Sequence, residues 1–121
     1  MFLFGAVSAA PDRSGTYIGT YSSTDGDSAG KLRLVIEKNA DATWLCKIFF
    51  TPESDEIATK PGACSIEGDN IATAFDVDMD GSAFHADLKG TAADDKSFQG
   101  TYVTSGSGNT DHGTWKVSVK P

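Results

Sequence analysis

A chain of 121 residues with 17 acidic and 10 basic side chains, net charge −7, has room for one domain and one core. Its Lys and Arg residues are scattered instead of forming a stripe, which excludes nucleic acid as an expected partner; the acidity aids solubility and gives only a weak preference for cationic partners or metal ions. Hydrophobic residues at 39% and charged residues at 22% argue against disorder and against a membrane-spanning chain, while 13 glycines among many Thr, Ser and Asp residues point to tight turns between short strands.

The chain opens with Met1 to Ala10, apolar or small throughout, and Val7-Ser8-Ala9-Ala10 resembles the small-residue end of a secretory signal. No Lys or Arg precedes Asp12, and the run is far shorter than the roughly 20 residues a membrane helix needs. Residues 1–12 are therefore read as an apolar N-terminal segment, a signal-peptide remnant or a tail, and 13–121 as a single β-barrel domain. The two cysteines, Cys46 and Cys64, suit an exported protein, so the expected location is secreted or periplasmic.

From residue 15 onward apolar and polar positions alternate, the period of half-buried strands and not of helices. Eight strands are predicted, over 15–22, 31–37, 43–51, 56–67, 70–78, 82–89, 97–104 and 113–119, with turns at 23–30, 39–42, 52–55, 68–69, 79–81, 90–96 and 105–112. These connections leave no space for crossover helices, so the expected fold is all-β: a single antiparallel up-and-down meander of about eight strands closing into a small barrel. A two-sheet β-sandwich is the alternative that the same periodicity permits.

An internal repeat favours closure. Gly15-Thr16-Tyr17, Gly19-Thr20-Tyr21, Gly100-Thr101-Tyr102 and Gly113-Thr114-Trp115 all read Gly-Thr-aromatic, and they occur only in the first and the last two strands. In each, the glycine and the ring share one face and the threonine takes the other, so the first and last strands are expected to pair, with Tyr17, Tyr21, Tyr102 and Trp115 inside. Cys46 and Cys64 are expected to bond across an antiparallel hairpin centred near Asp55.

The same residues carry a resemblance. With Gly19-Thr20-Tyr21, Gly30-Lys31-Leu32, Cys64-Ser65-Ile66-Glu67-Gly68 and Gly113-Thr114-Trp115-Lys116 as its clearest points, residues 15–120 resemble small exported bacterial β-barrel domains of calycin-like (lipocalin- or avidin-like) type. The resemblance implies a barrel and no catalytic residue.

Few features point to chemistry. Asp76-Val77-Asp78-Met79-Asp80-Gly81, with Asp87 at the twelfth position, matches the opening of a calcium loop, but Phe75, Val77 and Met79 alternate with the aspartates as on the wet face of a strand. His85 and Asp87 lie on one strand face as a candidate acid–base pair, and His112 falls in a predicted turn. No nucleophile elbow or phosphate loop is present, the cysteine spacing matches no zinc pattern, and no cofactor is expected. Tyr17, Tyr21, Trp44, Phe84, Tyr102 and Trp115 are the candidate ligand-binding set, lining a barrel interior. Three functional classes follow, led by an exported non-catalytic barrel that binds a small apolar ligand or a protein partner. A structural subunit assembling through its apolar N-terminal segment and a small barrel enzyme with interior acid–base residues are the alternatives.

Overall fold

The computed structural model describes residues 13–24, 29–41, 43–52, 54–79, 81–94, 96–106 and 108–119, so the apolar segment 1–12 lies outside the described residues. Nine strands account for most of them: β1 (Gly15–Ser23), β2 (Ala29–Lys38), β3 (Trp44–Thr51), β4 (Ile57–Ala58), β5 (Lys60–Glu67), β6 (Asn70–Met79), β7 (Ser82–Asp94), β8 (Ser97–Gly106) and β9 (Asn109–Val119). Alternation sets the two faces. Leu32, Leu34 and Ile36 of β2 are buried with Arg33 and Val35 half-covered between them, and Ile71, Thr73, Phe75 and Val77 of β6 are buried beside exposed Ala72, Asp76 and Asp78.

All nine strands belong to one antiparallel sheet in the order β4-β3-β2-β1-β9-β8-β7-β6-β5, curled into a nearly closed barrel, and the sandwich alternative is set aside. The first and last strands pair as the repeat predicts, with Tyr21 opposite Trp115 and Gly19 opposite Val117. That pair lies in the middle of the sheet. The sheet edges are β4 and β5, which are neighbours in the chain, so the barrel's seam falls where a continuous hairpin strand over 56–67 was expected.

The predicted strand breaks at Thr59. β4 stays on β3, Phe49 facing Ala58 and Phe50 facing Ile57, and Thr59 makes the last bonds to that strand, its N and Oγ both donating to Ile48 O at 3.3 and 2.6 Å. β5 then leaves β3 for β6. Pro61 has no N–H to offer a ladder, and the β5–β6 register shifts between Pro61 and Cys64, as suits an edge strand. Across the gap Cys46 of β3 and Cys64 of β5 are disulfide-bonded, with Cα atoms 5.6 Å apart at a sequence separation of 18. The expected bond is present, but it takes the place of a hydrogen-bonded hairpin instead of crossing one.

Two predicted turns are largely strand. β7 runs on through a bulge to Asp94, and the β8–β9 ladder continues to Gly106 opposite Asn109. Gly108, at φ 76°, supplies the positive φ that a two-residue hairpin turn needs, and the Thr and Ser residues around it are at home on a strand's wet face.

Inside, rings lie where glycines leave room. A Cβ at Gly90 would stand 2.7 Å from Trp115 Cζ2, and one at Gly30 2.9 Å from Tyr21 Oη; a Cβ at Gly113 would collide with the Tyr102 ring. Tyr17 and Trp115 are 1% and 2% exposed, whereas Thr20, Thr101 and Thr114 are exposed and Thr16 is half-covered. Arg13, only 3% exposed, caps one end: its guanidinium lies 5.5 Å from the Phe98 ring centroid and reaches Asp69 at 2.9 Å, and Tyr17 Oη donates to its carbonyl oxygen at 2.9 Å.

Two outcomes are expected in urea unfolding. Trp115→Ala should cost about 3 to 5 kcal/mol, because it removes a ring from a close-packed site, while Thr114→Ala, facing water, should stay within about 0.5 kcal/mol of the parent. Replacing both Cys46 and Cys64 by Ala should cost about 3 kcal/mol, since closing a loop of this length removes chain entropy from the unfolded state; an unchanged urea midpoint would show that the seam holds without the bond.

Candidate functional site

Opposite the Arg13 end, the barrel axis is not filled. A cavity of ≈ 310 Å³ lies between the last residues of β1, β3 and β8 and the first of β7 and β9. Phe50, Phe75, Val77, Phe84, Ala86 and Leu88 supply much of its apolar wall. Each points inward because it occupies the dry parity of its strand. Tyr21 joins the rings to one another, its centroid 6.1 Å from both Phe50 and Tyr102 in edge-on arrangements, and Phe50 lies 6.1 Å from Phe75.

Polar groups gather at one place in this wall. Thr104 and Asp111 are direct cross-strand partners on β8 and β9, one inward pair beyond Tyr102 and Gly113. Both line the cavity, Asp111 is half-buried, and Ser23 Oγ on β1 donates to Asp111 Oδ1 at 2.7 Å. Burial pushes the Tyr102 phenol up to about 12, with the negative charges of Asp111 and of an ionised Tyr21 adding to the shift; burial raises Tyr21 as well. At neutral pH Tyr102 is therefore a hydrogen-bond donor and not a base.

Of the six residues predicted to line an interior site, the structure brings four together here: Tyr21, Phe84, Tyr102 and Trp115. Tyr17 instead packs on Phe98, 5.3 Å between centroids, at the filled end. Trp44 sits at the start of β3 with Lys38 Nζ 5.7 Å from its ring centroid, outside the cavity wall. Phe50, Phe75, Thr104 and Asp111 were not singled out from the sequence. For Asp111 a signal existed, because Asp111-x-Gly113-x-Trp115 keeps strand parity once the strand is extended through the predicted turn.

His85 stands on the outer face, between Asp87 on its own strand, 3.3 Å from Nε2, and Asp76 across the β6–β7 ladder, 2.8 Å from Nδ1. The hydrogen bond to Asp76 first, and the charge and hydrogen bond of Asp87 after it, hold its imidazole above the usual pKa against the opposing effect of desolvation. The spacing His85-x-Asp87 was legible; Asp76 entered through register. The trio is solvent-exposed. Asp78 lies 3.4 Å from Lys60, so Asp76, Asp78 and Asp87 serve as outward strand residues with partners, and Asp80 lies outside the described residues. His112, predicted in a turn, is an exposed residue of β9 opposite Val103. Among the described residues no group of three or more His, Cys, Asp or Glu is placed to hold a metal ion, and no helix is long and apolar enough to cross a membrane.

The chain matches no protein-family model, no curated protein and no solved structure.

A pH titration tests the electrostatics of this wall. Tyr102 holds its proton more tightly folded than unfolded, so the stability it contributes is complete below pH 10.0 and is lost as pH rises through about 12. Tyrosinate absorbance should show a phenol titrating near that upper value, absent in Tyr102→Phe. In Asp111→Asn its midpoint should move back toward 10.0, since a negative neighbour has gone.

Proposed function

We propose that this protein is an exported, non-catalytic barrel that holds a small, mainly apolar molecule in its interior. The observation that carries this reading is the cavity of ≈ 310 Å³ walled by rings and aliphatic side chains, at the lower end of the size range of small-molecule sites. A 121-residue barrel has few large side chains to spare. An unfilled space among them forgoes dispersion contacts and is stabilised when an apolar guest restores them. The polar groups are few and grouped at one place, the pattern that orients a ligand.

Catalysis has less support. His85, the imidazole flanked by Asp76 and Asp87, is on the outer surface, and the Tyr102 phenol in the cavity is held protonated. Export is supported by the disulfide, which persists in oxidising compartments, and the resemblance to exported calycin-like barrels supports the same reading.

Ala86, buried in the cavity wall, gives a direct test. The neutral dye N-phenylnaphthylamine should bind the parent with enhanced fluorescence, and Ala86→Phe, which projects a ring into the space, should abolish that binding without lowering the thermal midpoint. A dye that binds parent and variant alike is held elsewhere, and the cavity reading falls.

A further inference from the structure

An apolar cavity accepts neutral guests of suitable size without distinguishing them by charge; this one carries a carboxylate. Asp111 lines the wall beside Thr104, half-buried, and the one hydrogen bond to its carboxylate among the described residues comes from the neutral Ser23 hydroxyl at 2.7 Å. Every ion pair among the described residues lies elsewhere: Arg13 with Asp69, Arg33 with Glu56, Lys47 with Glu37, Lys60 with Asp78, and His85 with Asp76 and Asp87. The carboxylate therefore meets the cavity without a cation from these residues to neutralise it. The rings of Tyr21, Tyr102 and Trp115 line the same cavity.

We infer that the interior site selects a ligand with an ammonium group on an apolar body, the ammonium paired with Asp111 and the body lying among the rings. This rests on the cavity reading above and adds the charge of the guest. An ammonium leaving water needs a charged partner and hydrogen-bond acceptors, and Asp111 and Thr104 offer both, while the rings of the wall offer surface to the apolar body. A carboxylate guest would meet like charge where solvent screening is reduced. The net charge of −7 acts in the same sense, drawing cations toward the molecule before they bind.

Three probes of one shape separate the alternatives: phenylbutylamine, phenylbutanol and phenylbutyrate, titrated calorimetrically at neutral pH into the full chain. The amine should bind about tenfold or more tighter than the alcohol, as a charge-assisted hydrogen bond would give, and the carboxylate weakest of the three. In Asp111→Asn the amine should fall to the level of the alcohol while the alcohol is little changed; Asp111→Glu should keep the order of the parent. Equal binding of amine and alcohol by the parent, or an amine preference that survives in Asp111→Asn, overturns the inference and leaves the cavity reading standing. If none of the three binds, both are overturned. The comparison in the parent decides by itself should the Asn variant fail to fold.

Discussion

Trp115 lying across Gly90, Tyr102 across Gly113 and Tyr21 across Gly30 set the shape of half the barrel wall. A strand glycine normally weakens a sheet, having nothing to pack and more backbone entropy to lose. Here each gap is occupied by a ring from the next strand or the one beyond it, so the cost is offset by burial of a large apolar surface, and β1 with β2, and β9 with β8 and β7, are bound by side chains as well as by their ladders. Rings seated over glycines lie against the wall instead of reaching across the axis. At the Arg13 end, Tyr17 and Phe98 pack against each other and fill the interior; at the other, Tyr21 and Tyr102 line a space they do not fill.

The opposite half of the wall is held differently. β2, β3 and β6 present branched aliphatic side chains and phenylalanines, and between β3 and β5 no described ladder runs. Closing the sheet by hydrogen bonds would require β5 to pair on both sides, which the proline at 61 and the register shift beside it oppose. A covalent bond between Cys46 and Cys64 does the joining, with both sulfurs on the inner face. The seam's integrity is thereby tied to an oxidising environment, where such bonds persist.

Two sets of carboxylates show how position decides what a charge does. Asp76 and Asp87 flank His85 in water, where opposite charges gain little and salt weakens them further. Asp111 sits on the inner face, where water is partly excluded, and its effect reaches the Tyr102 phenol. The same residue type is a surface feature on β6 and β7 and a determinant of the interior on β9.

Strand parity made much of this legible without coordinates. Alternation in 15–22 and 113–119, with the Gly-Thr-aromatic unit at both ends of the chain, was enough to place Tyr21 and Trp115 inside and to pair β1 with β9, because a side chain's face along a strand depends only on whether its position is odd or even. Long-range pairing was not legible. The break at Thr59 depends on where β5 finds its better partner, and the inward position of Asp111 depends on how far the β8–β9 ladder runs past Gly113. Local composition reads Ser105 to His112 as a turn, yet Thr and Ser serve a strand's wet face equally well. Cross-strand register likewise set Asp76 beside His85 and Phe50 beside Phe75, residues whose separation in the chain carries no mark of their contact. The sequence by itself determined which faces are dry and that the chain's ends meet; tertiary structure decided where the seam opens, which end of the barrel stays unfilled and which carboxylate looks into it, since those follow from pairing between distant strands and not from the period of any one of them.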